Sequence, residues 1–142
     1  EHLKEIRQID LDGVVSFFDK HIRQHARPSE ASAFDNLAKT AQRSIDRNDK
    51  DFEHHLDEMK GKNFEILWRQ DWFVIERFKW MVSSPHLFAD KHRFAELAKI
   101  GTQLMRSDDI EKLRAVVAQL SMIQIGSGPD SEMFDVANII RG

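Results

Sequence analysis

Cysteine is absent from this chain, and it has only three prolines and six glycines in 142 residues. Without cysteine there can be no disulfide, no thiolate metal ligand and no cysteine nucleophile. The redox compartment stays open. No apolar run approaches the roughly twenty residues that a membrane span needs, so no membrane partner is expected. A basic excess is also missing: the formal net charge is −3 and the pI about 6.2. A nucleic-acid partner is therefore not expected either. The usual chemical signatures are missing too. There is no GxSxG, no GxGxxG, no Walker lysine and no HExxH. No catalytic residue and no cofactor-binding or metal-binding residue is assigned, and the chain is read as non-enzymatic.

What remains is a composition of 41% apolar and 32% charged residues, which suits one globular domain with a charged surface. A single domain of this length buries roughly 70% of the surface its unfolded chain exposes. The chain begins at Glu1 rather than at a methionine and is expected to be a piece of a longer protein.

The periodicity is helical throughout, with no alternation that marks a strand. Leu3, Ile6 and Ile9 form a short lead-in. Asp10 or Asp12 is placed to cap a first helix carrying Leu11, Val14, Val15, Phe18 and Ile22. Pro28 ends it, and Ser29 is placed to cap a second helix with Phe34, Leu37, Ala38, Ala41 and Ile45. Asp46 to Asp49 turn the chain into a third helix with Phe52, Leu56 and Met59. Gly61 and Asn63 either break that helix or lie within a longer one. Ser83, Ser84 and Pro85 close the next helix. Asp90 then caps one with Phe94, Leu97, Ala98, Gly101, Leu104 and Met105. Asp108 and Glu111 fit a capping box for a helix with Leu113, Val116, Val117, Leu120 and Ile123. A loop from Gly126 to Asp130 precedes a last helix, Ser131 to Ile140.

The fold class expected is all-α: an antiparallel bundle of six to seven helices in one domain, residues 1–142. A displacement of sixty residues places Val14, Phe18, Phe34 and Leu37 on Val74, Phe78, Phe94 and Leu97. That pattern suggests two three-helix units in tandem, residues 10–62 and 63–125, followed by a C-terminal helix at 130–140.

Phe64 to Val82 is the stretch around which the rest is organised. Six of the thirteen aromatic residues lie in the seventeen positions from Phe64 to Trp80. As one helix it carries Phe64, Leu67, Trp68, Ile75, Phe78 and Val82 on one face, leaving Trp72, Phe73 and Trp80 off it. A helix apolar on several sides has neighbours on several sides, so this one is expected at the centre. Trp72, Phe73 and Trp80 are the candidate interaction surface, because tryptophan is enriched among residues that dominate binding energy. Asp71 falls on the apolar face and is expected to be a buried charge with a cationic partner.

Seven histidines raise the question of a metal. His21 and His25, four apart, share one helical face but have Arg23 and Arg27 beside them, which opposes a cation. Asp51, His54, His55 and Asn63 resemble part of the ligand-binding helical domain of some bacterial transcription regulators, where helix-borne Asp and His residues hold a metal. His86 or His92 would have to complete that set. A ligand-sensing or metal-sensing domain is thus the alternative to an interaction module.

Asn63 to Phe73, with Glu76-Arg77-Phe78, resembles a segment in the C-terminal region of bacterial DnaK-like chaperones of the seventy-kilodalton heat-shock family. Arg27 to Ala31, Pro85 to Phe88, and Ile125 to Ser127 with Met133-Phe134 accompany it, so the resemblance spans most of the chain. It implies a cytoplasmic, non-catalytic helical region that comes after nucleotide-binding and β-sandwich domains. Such a region would act on a protein partner, a client polypeptide or other domains of its own chain. The chain departs from a complete chaperone in lacking phosphate loops and a β-rich domain, so ATP hydrolysis is not carried over. It also lacks an EEVD tail and the lysine- and glutamate-rich lid composition. No functional residues are transferred from the family.

Overall fold

A computed structural model describes residues 2–126, 136, 139 and 140. Among these the protein is all-α, with six α-helices and no strand. They are α1 (His2–Phe17), α2 (Pro28–Asp46), α3 (Phe52–Trp68), α4 (Asp71–Val82), α5 (Lys91–Arg106) and α6 (Ile110–Ile123). The chain divides into two compact units, Glu1–Leu67 and Trp68–Gly142. The expected loop from Gly126 to Asp130 and helix from Ser131 to Ile140 lie outside the described residues, save Gly126, Val136, Ile139 and Ile140.

In the first unit, α1 starts at His2 rather than at an Asp10 or Asp12 cap, so the lead-in and first helix are one element. Leu3, Ile6 and Ile9 stay exposed, while Leu11, Val14, Phe18 and Ile22 are buried. α1 continues through a π turn, Phe18–Ile22, and a 3-10 turn, Arg23–His25. A π turn holds more residues than an α turn, which rotates the residues after it about the helix axis. Phe18 and Phe34 stack at 3.8 Å, and Gln8 and Gln42 exchange hydrogen bonds at 2.9 Å. Those two contacts make α1 and α2 antiparallel neighbours. Arg23 reaches Asp19 at 2.9 Å and Asp35 at 2.7 Å, and its guanidinium lies 4.8 Å from the Phe18 ring centroid. Hydrogen bonds to Asp35 first and Asp19 second raise the Arg23 pKa above its ordinary value.

Pro28 does not merely end the first helix. It occupies the first turn of α2, where its missing N–H is no loss. The expected Ser29 cap is absent, and the Glu30 carboxylate instead accepts from the Arg27 backbone N–H at 2.8 Å. Arg7, 9% exposed, ties α1 to the start of α3. Its guanidinium donates to the Asp49 carbonyl and to Glu53, each at 3.2 Å, and lies 5.5 Å from the Phe52 ring centroid.

The second unit has its core in Val74, Phe78 and Met81 of α4, Phe88, Leu97 of α5, and Leu113, Val116, Val117 and Leu120 of α6. α5 and α6 form a hairpin in which Arg93 donates to Gln119 at 2.6 Å. As expected, the Asp90 carboxylate caps α5, accepting from the Arg93 N–H at 3.0 Å. The cap of α6 is Asp109, not Asp108: its carboxylate accepts from the Lys112 N–H at 3.2 Å. Asp108 instead sits in the left-handed region, with φ 59°. The Ile125 N–H donates to the Leu87 carbonyl at 2.8 Å, fastening the Pro85–Leu87 turn to the end of α6.

The sixty-residue displacement holds at the ends of α2 and α5. Asn48 N–H donates to Ile45 O and Asp49 N–H to Ser44 O, as Asp108 does to Met105 O and Asp109 to Leu104 O. Asn48 and Asp108 are the positive-φ non-glycine residues among those described. Both ends are Schellman closures, with Asn or Asp where glycine is commonest. Helix packing does not obey the same displacement. Phe18 stacks on Phe34, whereas Phe78 meets Gly101, whose equivalent is Ala41.

Candidate functional site

The stretch from Phe64 to Val82 is not one helix. α3 runs unbroken through Gly61 and Asn63 to Trp68, and α4 begins at Asp71 after a break at Arg69-Gln70. Neither proline nor glycine makes the break. Gln70 is extended there, with ψ 126°, and supplies no side-chain cap. One contact at the break comes from α6. Arg114 donates to the Trp68 carbonyl, one of the acceptors a helix C-terminus leaves unused. It also donates to Asp71 at 2.9 Å, and its guanidinium lies 5.3 Å from the Trp68 ring centroid.

This geometry corrects the expectation for Asp71. Its side chain is 67% exposed, in the first turn of α4, where a carboxylate suits the helix dipole. The cationic partner exists, but the burial does not. The deeply buried charge is Arg77, 2% exposed and 6.0 Å from the Trp68 ring centroid. A single helix running through residue 70 would have put both residues on other faces.

The three candidate interaction residues separate. Trp72 is 40% exposed, Trp80 is half-buried against the core of its unit, and Phe73 is fully buried. Phe73 is therefore a packing residue and is withdrawn from the candidate surface. The aromatic side of α4 is part core and part surface.

α4 also borders a concavity that the sequence did not single out. Phe78, Lys79 and Val82 of α4 face Thr102, Met105 and Arg106 of α5 across an apolar groove of about 330 Å³. That volume is at the lower end of the roughly 300–1,000 Å³ range of ligand pockets. Gly101 creates the approach of the two helices beside it. A Cβ at Gly101 would overlap the Phe78 ring, so only glycine permits this crossing. Lys79 pairs with Glu76 at 3.3 Å. Lys79 and Arg106 lie in the last turns of α4 and α5 and place two cations at the rim. Trp72 precedes Lys79 by two helical turns and so lies along the same side of α4. The sequence signals for this groove were the helix-interior Gly101 and the cations in two last turns.

The histidine candidates do not converge. His54 and His55 both approach Glu58, at 3.3 and 3.7 Å, and His92 approaches Glu96 at 3.9 Å. His21 lies in the π turn against Phe17 at 5.1 Å and His25 in the 3-10 turn after it, so the pair loses its α-helical register. Among the described residues no group of three or more His, Asp or Glu side chains is placed to hold a metal ion. No described helix is long and apolar enough to cross a membrane.

Comparison with known protein families, with curated proteins and with solved structures finds no match to this chain.

Proposed function

We propose that the chain is a non-catalytic, helical protein-binding module that takes an amphipathic helical segment of a partner into the α4–α5 groove. The observation that carries this proposal is an apolar groove between two helices with cations at its rim and the exposed Trp72 on the same side. Grooves of this kind receive the apolar face of a helix through residues spaced three, four and seven apart. Lys79 and Arg106 favour carboxylates at the margin of that segment, and Trp72 offers a flat apolar anchor beside it. The resemblance to the C-terminal region of DnaK-like chaperones supports the same proposal: a cytoplasmic module whose partner is a client polypeptide or another domain of the chaperone.

The test uses a fluorescein-labelled synthetic helix with leucine at positions i, i+4 and i+7 and glutamate between them. Binding is read by anisotropy against the wild-type chain, Met105→Glu, and the exposed pair Lys79→Glu with Arg106→Glu. Micromolar binding that Met105→Glu abolishes and the charge reversal weakens supports the proposal. No binding, or binding unaffected by Met105→Glu, overturns it. The family attribution is tested separately, by whether a nucleotide-binding domain precedes Glu1 in the full-length protein.

The ligand-sensing or metal-sensing alternative gains no geometric support from the histidines. Its test is the melting temperature with zinc or nickel added.

A further inference from the structure

Two residues that the sequence marks as helix breakers, Gly61 and Asn63, lie inside the continuous helix α3. A Cβ at Gly61 would meet nothing within 4 Å, so no neighbour demands glycine there. In a helix interior glycine is about 1 kcal/mol less favourable than alanine. Asn63 is fully buried, and neither its amide oxygen nor its amide nitrogen has a hydrogen-bond partner among the described residues. A buried polar group without a partner loses its hydration and gains nothing in return. Both weaknesses fall within a single turn.

We infer that residues 61–63 are a built-in opening point of α3, at which the helix exchanges between the closed form and a locally unwound one. The closed form is held by the buried side chains on either side, Met59 before the point and Ile66 and Leu67 after it. The ion pair Lys62–Glu65 at 3.7 Å, whose carboxylate is 64% exposed, spans this turn beside the backbone hydrogen bonds of α3. An exposed pair of that kind contributes little. Opening returns the Asn63 amide to water. This conformational device is independent of the groove and stands or falls without it.

Amide hydrogen exchange on the whole chain tests the inference, because local opening exposes amides without global unfolding. In the wild type, amides at 62–67 are expected to exchange more than about ten-fold faster than those of buried α2 positions such as Ala41 and Ile45. Gly61→Ala is expected to slow that exchange about five-fold. Asn63→Leu is expected to slow it about ten-fold, by removing the two unpartnered groups. Asn63→Met is the second variant should the branched side chain not fit. Exchange at 62–67 as slow as in α2 overturns the inference. So does a Gly61→Ala variant that is no slower, or a failure of both Asn63 variants to slow exchange.

Discussion

Gly101 of α5 lies against the ring of Phe78 on α4 so closely that a Cβ at residue 101 would overlap ring carbons Cε1 and Cζ. The α4–α5 crossing, and with it the groove beside it, depends on the absence of one carbon atom. Gly101→Ala is expected to destabilise the protein by about 1–3 kcal/mol, the usual effect of overpacking. Phe78→Ala is expected to cost about 3–5 kcal/mol by leaving a cavity. The double variant should be more stable than the sum of the two predicts, because each change relieves the other. Urea denaturation of the four proteins measures that coupling.

Trp72 and Phe73 are adjacent in sequence and differ in burial, 40% against 0% exposed. Phe73→Ala should lower stability by about 3–5 kcal/mol. Trp72→Ala, at a half-open position, should change stability by much less and weaken binding of the glutamate-bearing helix instead. Thermal melts and anisotropy on the same two variants separate these effects.

Arg114 and Asp71 make an unequal pair. Asp71 is largely exposed, so Asp71→Ala should cost less than about 1 kcal/mol. Arg114→Ala also strips the Trp68 carbonyl of its donor and the Trp68 ring of its cation, and should cost about 2–3 kcal/mol. Chemical denaturation monitored by circular dichroism distinguishes the two.

Asn48 and Asp108 hold left-handed backbone conformations that glycine adopts without a Cβ penalty. Asn48→Gly and Asp108→Gly should each be neutral or stabilising by up to about 1 kcal/mol, and Asn48→Ala destabilising. Asp109→Ala, which removes the α6 cap, should lower stability by about 1 kcal/mol. Differential scanning calorimetry reads all four.

Many features set by neighbouring residues were legible in the sequence, though the caps expected at Asp10 or Asp12, Ser29 and Asp108 were not, and features set by distant residues were not legible. Helix identity came from apolar spacing: Leu113, Val116, Val117 and Leu120 were readable as one buried face because a regular α6 carries them. The turns at Asn48 and Asp90 were also legible, since their signals are local. The break at residues 69 and 70 was not. Arg114, a donor at the break, is more than forty positions away, and neither proline nor glycine punctuates the segment. That single misplaced boundary reversed the burial expected for Asp71. The π turn had a similar effect on His21 and His25. The groove was illegible for another reason: it is defined by a void between α4 and α5, and apolar residues beside a void look like core residues in sequence.

The π turn at Phe18–Ile22 also carries information about chain length. A π turn takes up one residue more than a regular α turn does, as a local bulge. Deleting one exposed residue there, such as Lys20, would let α1 run on in uniform register. Because the π turn already takes up the extra residue, the stretches on either side of the deletion would keep close to their present relation. Leu11, Val14 and Phe18 all precede Lys20 and would keep their shared buried side, while Arg23 would stand three rather than four positions after Asp19, still on the same helical face. The surplus residue of this segment is thus contained within one turn of the first unit.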